Sequence, residues 1–281
     1  MGWLDGFDNP KSTRVTTLPW ESVQISQELC IKRVSGAAPK AALICLHGWS
    51  LDHRSFERQI PLAQYGIDII SFDRRGFGQN MLTPNPDLDL SDVHQIVLST
   101  AVPAILYGVS QGARLALRYA QAYESHLSGL VFQGGLADSC VFDPTSQDEP
   151  PLALYQSMAE QKQLQDLRDH WCDHALMSRG LSPADKSVMR QHLESYDATD
   201  LLTPPSPSIF PSEKSRRAQL KLPMLVAIAE QDSTQRKFHA ESLIQDCNAT
   251  PLRSRGGHLF NFSHPQDFNE GFLSWIRSLG L

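Results

Sequence analysis

The chain has 281 residues, with 25 Lys plus Arg against 31 Asp plus Glu, a net charge of -6 and 41% hydrophobic residues. That length accommodates one large core with an insertion, the apolar content excludes a disordered chain, and the acidic balance excludes the basic footprint of a nucleic-acid binder. No apolar run approaches the ~18 residues of a membrane-spanning helix, and the amino terminus lacks the positive start and apolar stretch of a secretory signal. Five scattered cysteines, Cys30, Cys45, Cys140, Cys172 and Cys247, never form a C-x-x-C pair. Reduced thiols and a cytoplasmic location are expected.

In chain order, Glu21 to Gln27 and Leu29 to Val34 read as an opening hairpin. Short runs rich in Val, Ile and Leu follow at Ala41 to Leu46, Ile67 to Phe72, Ala104 to Tyr107, Leu127 to Phe132 and Met224 to Ala229. Helical patterns lie at Ser55 to Gln64, Ser91 to Thr100, Gln111 to Tyr123, Lys237 to Gln245 and Pro265 to Ser278. Near-continuous apolar strands separated by helices predict an α/β fold with a mostly parallel central sheet flanked by helices.

The alternation stops after Phe132, and eight of the 18 prolines fall between Pro144 and Pro211, mostly at the two ends of a helical stretch. Proline resists helix continuation, so these clusters predict connecting stalks. Residues 1–137 and 218–281 are expected to form the core, and 138–217 an inserted helical lid. Within the insertion, Ser182-Pro183-Ala184-Asp185 carries a helix-start signature.

The strongest chemical signal is Gly108-Val109-Ser110-Gln111-Gly112 between an apolar strand and a helical pattern. A strained strand-to-helix turn at the sheet's carboxyl edge exposes a serine hydroxyl and aligns it with a base. The Gln111 N–H then faces the reacting oxygen, and the loop Leu46-His47-Gly48-Trp49-Ser50 offers the Trp49 N–H as a second oxyanion donor. His47 reads as a structural residue under that loop.

The H-G-W-S loop, Asp73-Arg-Arg-Gly76-Phe-Gly78, the Ser110 elbow and Gly257-His258 resemble, in order, an α/β-hydrolase from about Leu43 to Trp275. The resemblance implies a nucleophile, acid and base in the order Ser110, Asp232 and His258, with Asp138 in reserve for the acid. It implies acyl-enzyme hydrolysis of an ester, thioester or lactone by a serine esterase that requires no metal or organic cofactor. His170 and His174 lack a third nearby ligand, so no metal site is expected.

Trp49, Leu51, Arg114, Phe142, Leu152, Leu154, Tyr155, Met158, Trp171 and Met177 are the candidate substrate-binding residues. Two closer resemblances compete. The H-G-W loop, the Ser91 to Thr100 helix and Ser263-His-Pro265 are similar to the carboxylesterases that cleave pimeloyl-carrier methyl esters. Ser110-x-Gly-x-Arg114, Val131-Phe-Gln-Gly-Gly135 and Asp232-Ser233 resemble the menaquinone-pathway synthase that eliminates pyruvate with its triad as base, where Arg114 would bind a carboxylate. The basic stretch Lys214-Ser-Arg216-Arg217-Ala-Gln-Leu-Lys221 is a candidate dock for an acyl carrier protein. A non-enzymatic ligand binder is the remaining alternative, although such homologues usually lose a triad member.

Overall fold

The computed structural model describes residues 19–137, 148–203 and 214–281. Its sheet has eight strands: β1 (Glu21–Gln24), β2 (Cys30–Val34), β3 (Ala41–Leu46), β4 (Ile67–Ser71), β5 (Ala104–Val109), β6 (Gly129–Gln133), β7 (Met224–Ala229) and β8 (Thr250–Ser254). Their spatial order is β1-β2-β4-β3-β5-β6-β7-β8. β1 and β2 run antiparallel to their neighbours, and every other pairing is parallel.

Strand alternation divides the core. Leu43, Cys45, Ile105, Tyr107, Leu225 and Ala227 face one layer, while Ala42, Ile44, Leu106, Met224 and Val226 face the other. The second layer packs on helices α1 (Pro86–Ser99), α2 (Gln111–Tyr123) and, beyond β7, the helix Thr234–Cys247. A 3₁₀ segment, His53–Tyr65, and the C-terminal helix Pro265–Ser278 cover the first. Both faces are buried, which is why the central strands read as continuous apolar runs.

Local chemistry accounts for the differences from the sequence expectation. His53–Tyr65 winds as 3₁₀ turns with Pro61 inside it, where proline has no N–H to give an α-helical ladder. α1 begins earlier than expected because the Asn85 side chain caps the Asp87 and Leu88 N–H groups and Pro86 occupies the first turn. β8 was not anticipated, since Thr-Pro-Leu-Arg-Ser carries little apolar pattern. It pairs with β7 at the sheet edge, where Pro251 is tolerated.

Between β6 and β7 lie α3 (Leu152–Glu160), α4 (Leu164–Asp173), α5 (Ala175–Ser178), α6 (Pro183–Leu193), α7 (Thr199–Leu202) and α8 (Lys214–Arg217), followed beyond β7 by α9 (Thr234–Cys247), α10 (Phe260–Ser263) and α11 (Pro265–Ser278). Tyr155, Trp171, Met189 and Tyr196, from the segment between β6 and β7, join the same apolar layer as the 3₁₀ segment and α11. Ser182 caps α6 in a complete capping box with Asp185. Asp138, Cys140, Phe142 and Pro144, together with the later prolines from Pro204 to Pro211, lie outside the described residues.

Arg217, part of the basic stretch read as a candidate carrier dock, is turned inward. It is 2% exposed, pairs with Asp246 at 2.8 Å and donates to the Ala137 carbonyl at 2.8 Å. Arg216 and Lys221 are exposed. Among the described residues no helix is long and apolar enough to cross a membrane.

Candidate active site

Ser110 ends β5 and precedes α2 with φ 57 and ψ -114, a conformation that costs a non-glycine residue about 1–3 kcal/mol. Two close approaches hold it there. A Cβ on Gly112 would overlap the Leu46 carbonyl oxygen, and one on Gly108 would overlap the Gly112 carbonyl. The Ser110 N–H also donates to the Gln133 carbonyl at 2.8 Å. The two glycines of the pentapeptide are therefore packing requirements of the turn.

Asp232 and His258 come from the loops after β7 and β8. Those loops are tied by the Glu230 N–H to the Ser254 carbonyl at 2.9 Å and by the Gln231 N–H to the Gly256 carbonyl at 3.1 Å. His258 Nδ1 lies 2.9 Å from Asp232 Oδ2, with both residues buried. Gly134, at φ 61, makes room for the ring: a Cβ there would stand 2.5 Å from His258 Cε1. Burial pushes the Asp232 carboxyl up, but the His258 ring, Arg236 and the Ser233 N–H outweigh it and leave its pKa below the ordinary value. The buried His258 Nε2 has no hydrogen-bond partner among the described residues.

Ser110, His258, Gly48, Trp49, Leu51, Gln111, Arg114 and Trp171 line one cavity of about 240 Å³, with Leu152, Leu176, Met177, Leu201 and Leu259 adding apolar wall. The backbone N–H groups of Trp49 and Gln111 donate to nothing among the described residues. Of the candidate substrate-binding residues, Trp49, Leu51, Arg114, Leu152, Trp171 and Met177 stand at this cavity. Tyr155 does not. It is fully buried behind Trp49, stacked at 5.8 Å between ring centroids. Met158 packs on the core away from the cavity, Leu154 is exposed, and Phe142 lies outside the described residues.

Four polar residues at or behind the cavity were not singled out from sequence. Arg236 Nη1 donates to Ser110 Oγ at 3.4 Å, while its Nη2 donates to Glu149 at 2.6 Å. Asp200 accepts from the Trp49 indole at 2.7 Å and from the Tyr196 hydroxyl at 2.8 Å. Arg74 donates to the Gln111 side chain at 2.6 Å. Charged residues in loops and helices read as solvent-facing by composition, so only the fold brings these inward. The one available signal was Arg236 itself, one turn beyond Asp232.

The other polar clusters are internally committed. Asp52, His53 and Asp73 converge, but Asp73 accepts the His53 N–H and ring and the Gln79 N–H, while Asp52 takes the Arg54 guanidinium. His170 meets the Tyr155 hydroxyl at 2.9 Å, and the His174 ring caps α5.

Among curated proteins, the chain is 36% identical over 90 residues to AB hydrolase superfamily protein YisY of Bacillus subtilis, covering 29% of this chain and 32% of that one. It is 30% identical over 105 residues to a proline iminopeptidase of Thermoplasma volcanium, covering 35% and 36%. The chain thus matches about a third of the length of each. Among solved structures, MenH from S. aureus shares the fold at a TM-score of 0.74 and 18% identity, over 89% of this chain and 99% of that one. The family model of the alpha/beta hydrolase family matches residues 43–270, and the chain belongs to that family.

Proposed function

We propose that the protein is a serine hydrolase that cleaves a carboxylic ester, thioester or lactone through an acyl-enzyme on Ser110. The observation that carries this proposal is the meeting, at one cavity, of a strained Ser110, an Asp232-paired His258 and two unpartnered backbone N–H groups. With the Nδ1 proton donated to Asp232, His258 Nε2 keeps its lone pair for the serine proton. Ser110 Oγ bonds to the carbonyl carbon, and the carbonyl electron pair moves onto oxygen between the Trp49 and Gln111 N–H groups. Collapse expels the leaving group with the proton from His258, and water repeats the sequence to release the acid. Helices α3 to α7 act as the lid in this scheme. Leu176, Met177, Leu201 and Leu259 favour an apolar acyl group.

The test is the initial rate on p-nitrophenyl esters from acetate to decanoate, wild type against Ser110→Ala. Wild-type turnover is expected, with a loss of at least about 10³-fold in the variant. Equal rates would reject Ser110 as nucleophile.

Arg114 and Arg236 at the same cavity favour a second reading, a lyase in which the triad acts as base on a carboxylate-bearing substrate. A folded wild type inactive on every ester would bring that reading forward. An acyl carrier partner would have Arg216 and Lys221 available, and carrier-linked turnover would then fall with salt while free-ester turnover would not.

A further inference from the structure

We infer that Arg74 is a positioning residue that holds both oxyanion donors, an inference that rests on the hydrolase reading of Ser110. Its backbone N–H donates to His47 Nε2 at 3.0 Å. The proton of that ring therefore sits on Nδ1, which donates to the Gly48 carbonyl at 2.8 Å. Arg74 Nη2 reaches the same carbonyl at 3.4 Å. In a trans peptide the carbonyl and the following N–H point in opposite directions. Holding the Gly48 oxygen inward toward His47 and Arg74 thus turns the Trp49 N–H away from them, on the loop that borders Ser110 in the cavity.

The other donor belongs to Gln111, and Arg74 Nη2 holds that residue too, through its side-chain oxygen at 2.6 Å. One guanidinium therefore spans the two segments whose N–H groups must share a single oxygen. Arg74 is itself fixed: it is 4% exposed, stands 3.6 Å from the Asp89 carboxylate, and lies over the Phe77 ring at 4.7 Å. It does not border the cavity, so it acts through Gly48 and Gln111 without touching substrate. Burial and the Arg74 charge push the His47 ring down to about 3, which keeps it neutral and in the required tautomer across ordinary pH.

The experiment measures kcat and KM on the preferred p-nitrophenyl ester, and the affinity for butylboronic acid, whose tetrahedral serine adduct places an oxygen in the same donor pair. The arms are wild type, Arg74→Met, Arg74→Lys and Gln111→Met. Arg74→Met should lose about 100-fold in kcat, the size of a lost oxyanion donor, with KM within about threefold and boronate affinity falling in parallel. Arg74→Lys should recover part of the loss. Gln111→Met removes only one tether from a half-buried side chain and should lose about tenfold, so it decides the matter if Arg74→Met does not fold. Unchanged kcat in Gln111→Met and Arg74→Lys, or a rise in KM alone, would overturn the positioning role and leave the hydrolase reading intact. A wild type that neither turns over esters nor binds the boronate brings down both.

Discussion

The Trp49 indole N–H donates to the Asp200 carboxylate at 2.7 Å, joining the loop after β3 to α7, 151 residues further along the chain. Burial pushes the Asp200 carboxyl up against the pull of its hydrogen bonds from Tyr196 and Trp49. Asp200→Ala would take the acceptor from both donors, each at a cost of about 1–3 kcal/mol where water does not replace it. Urea unfolding should show a loss of about 2–5 kcal/mol for Asp200→Ala and a smaller one for Asp200→Asn, which keeps one acceptor. Equal stability of Asp200→Ala and wild type would mean that water serves both groups equally well.

The elbow glycines permit a sharper comparison. An added methyl at Gly112 overlaps the Leu46 carbonyl, which belongs to the sheet and cannot yield, whereas one at Gly271 meets only the tip of the Leu252 side chain. Gly112→Ala should therefore cost upwards of about 4 kcal/mol or prevent folding, the range reserved for such steric failures. Gly271→Ala sits within α11 and should lie within about 1 kcal/mol of wild type, because helix propensity offsets a rotamer adjustment. Thermal melts of the two variants decide the matter, and similar melting temperatures would show that the elbow backbone can shift.

The contrast between these glycines and Arg74 marks what the sequence discloses. Ser110, Asp232 and His258 are legible because a turn between a strand and a helix, and an acid just past a strand, are local patterns in a fixed order. The central strands are legible because burial on both faces leaves an unbroken apolar run. Arg74, Glu149, Asp200 and Arg236 were not, since each is an ordinary charged residue until the sheet brings a partner from far along the chain. β8 was missed for a related reason: an edge strand with one neighbour needs neither apolar alternation nor every N–H.

Acid sensitivity follows from buried rings. Burial, with Arg54 and His53 nearby, lowers His192 to about 4, and His47 lies at about 3. The unfolded chain protonates both near 6.5 while the folded chain does not, so stability declines as pH falls below 6.5, by up to about 1.4 kcal/mol per pH unit for each ring. Burial raises Asp89 to about 6 against its pairing with Arg74, and this group works the other way between about 6 and 3.8. The raised Asp200 and Glu57 carboxyls act with Asp89 and the lowered His174 ring acts with His192 and His47, so the ring contribution is read from the change on substituting one ring. His192→Asn should flatten the dependence of unfolding free energy on pH between 6.5 and 4, measured by urea titration at each pH. An unchanged slope would mean that the ring is charged in the folded protein.

The Arg236–Glu149 pair, at 2.6 Å with side chains 7% and 2% exposed, joins the segment before α3 to the first turn of α9, just after Asp232. Ser233 Oγ adds a hydrogen bond to the second Glu149 oxygen at 2.8 Å. Removing either partner alone leaves a largely buried charge without its ion-pair partner, so Glu149→Leu and Arg236→Met should each lose about 3–5 kcal/mol. Replacing both removes the stranded charge along with its partner, and the double variant should recover most of that loss, with a coupling of at least about 2 kcal/mol. Additive losses in the double-mutant cycle would show that each residue is held by its other neighbours: Arg236 by the Gly134 carbonyl, Glu149 by Ser233. The coupled outcome instead identifies the pair as one unit, and the stability of the surroundings of Ser110 then depends on a residue from the segment between β6 and β7.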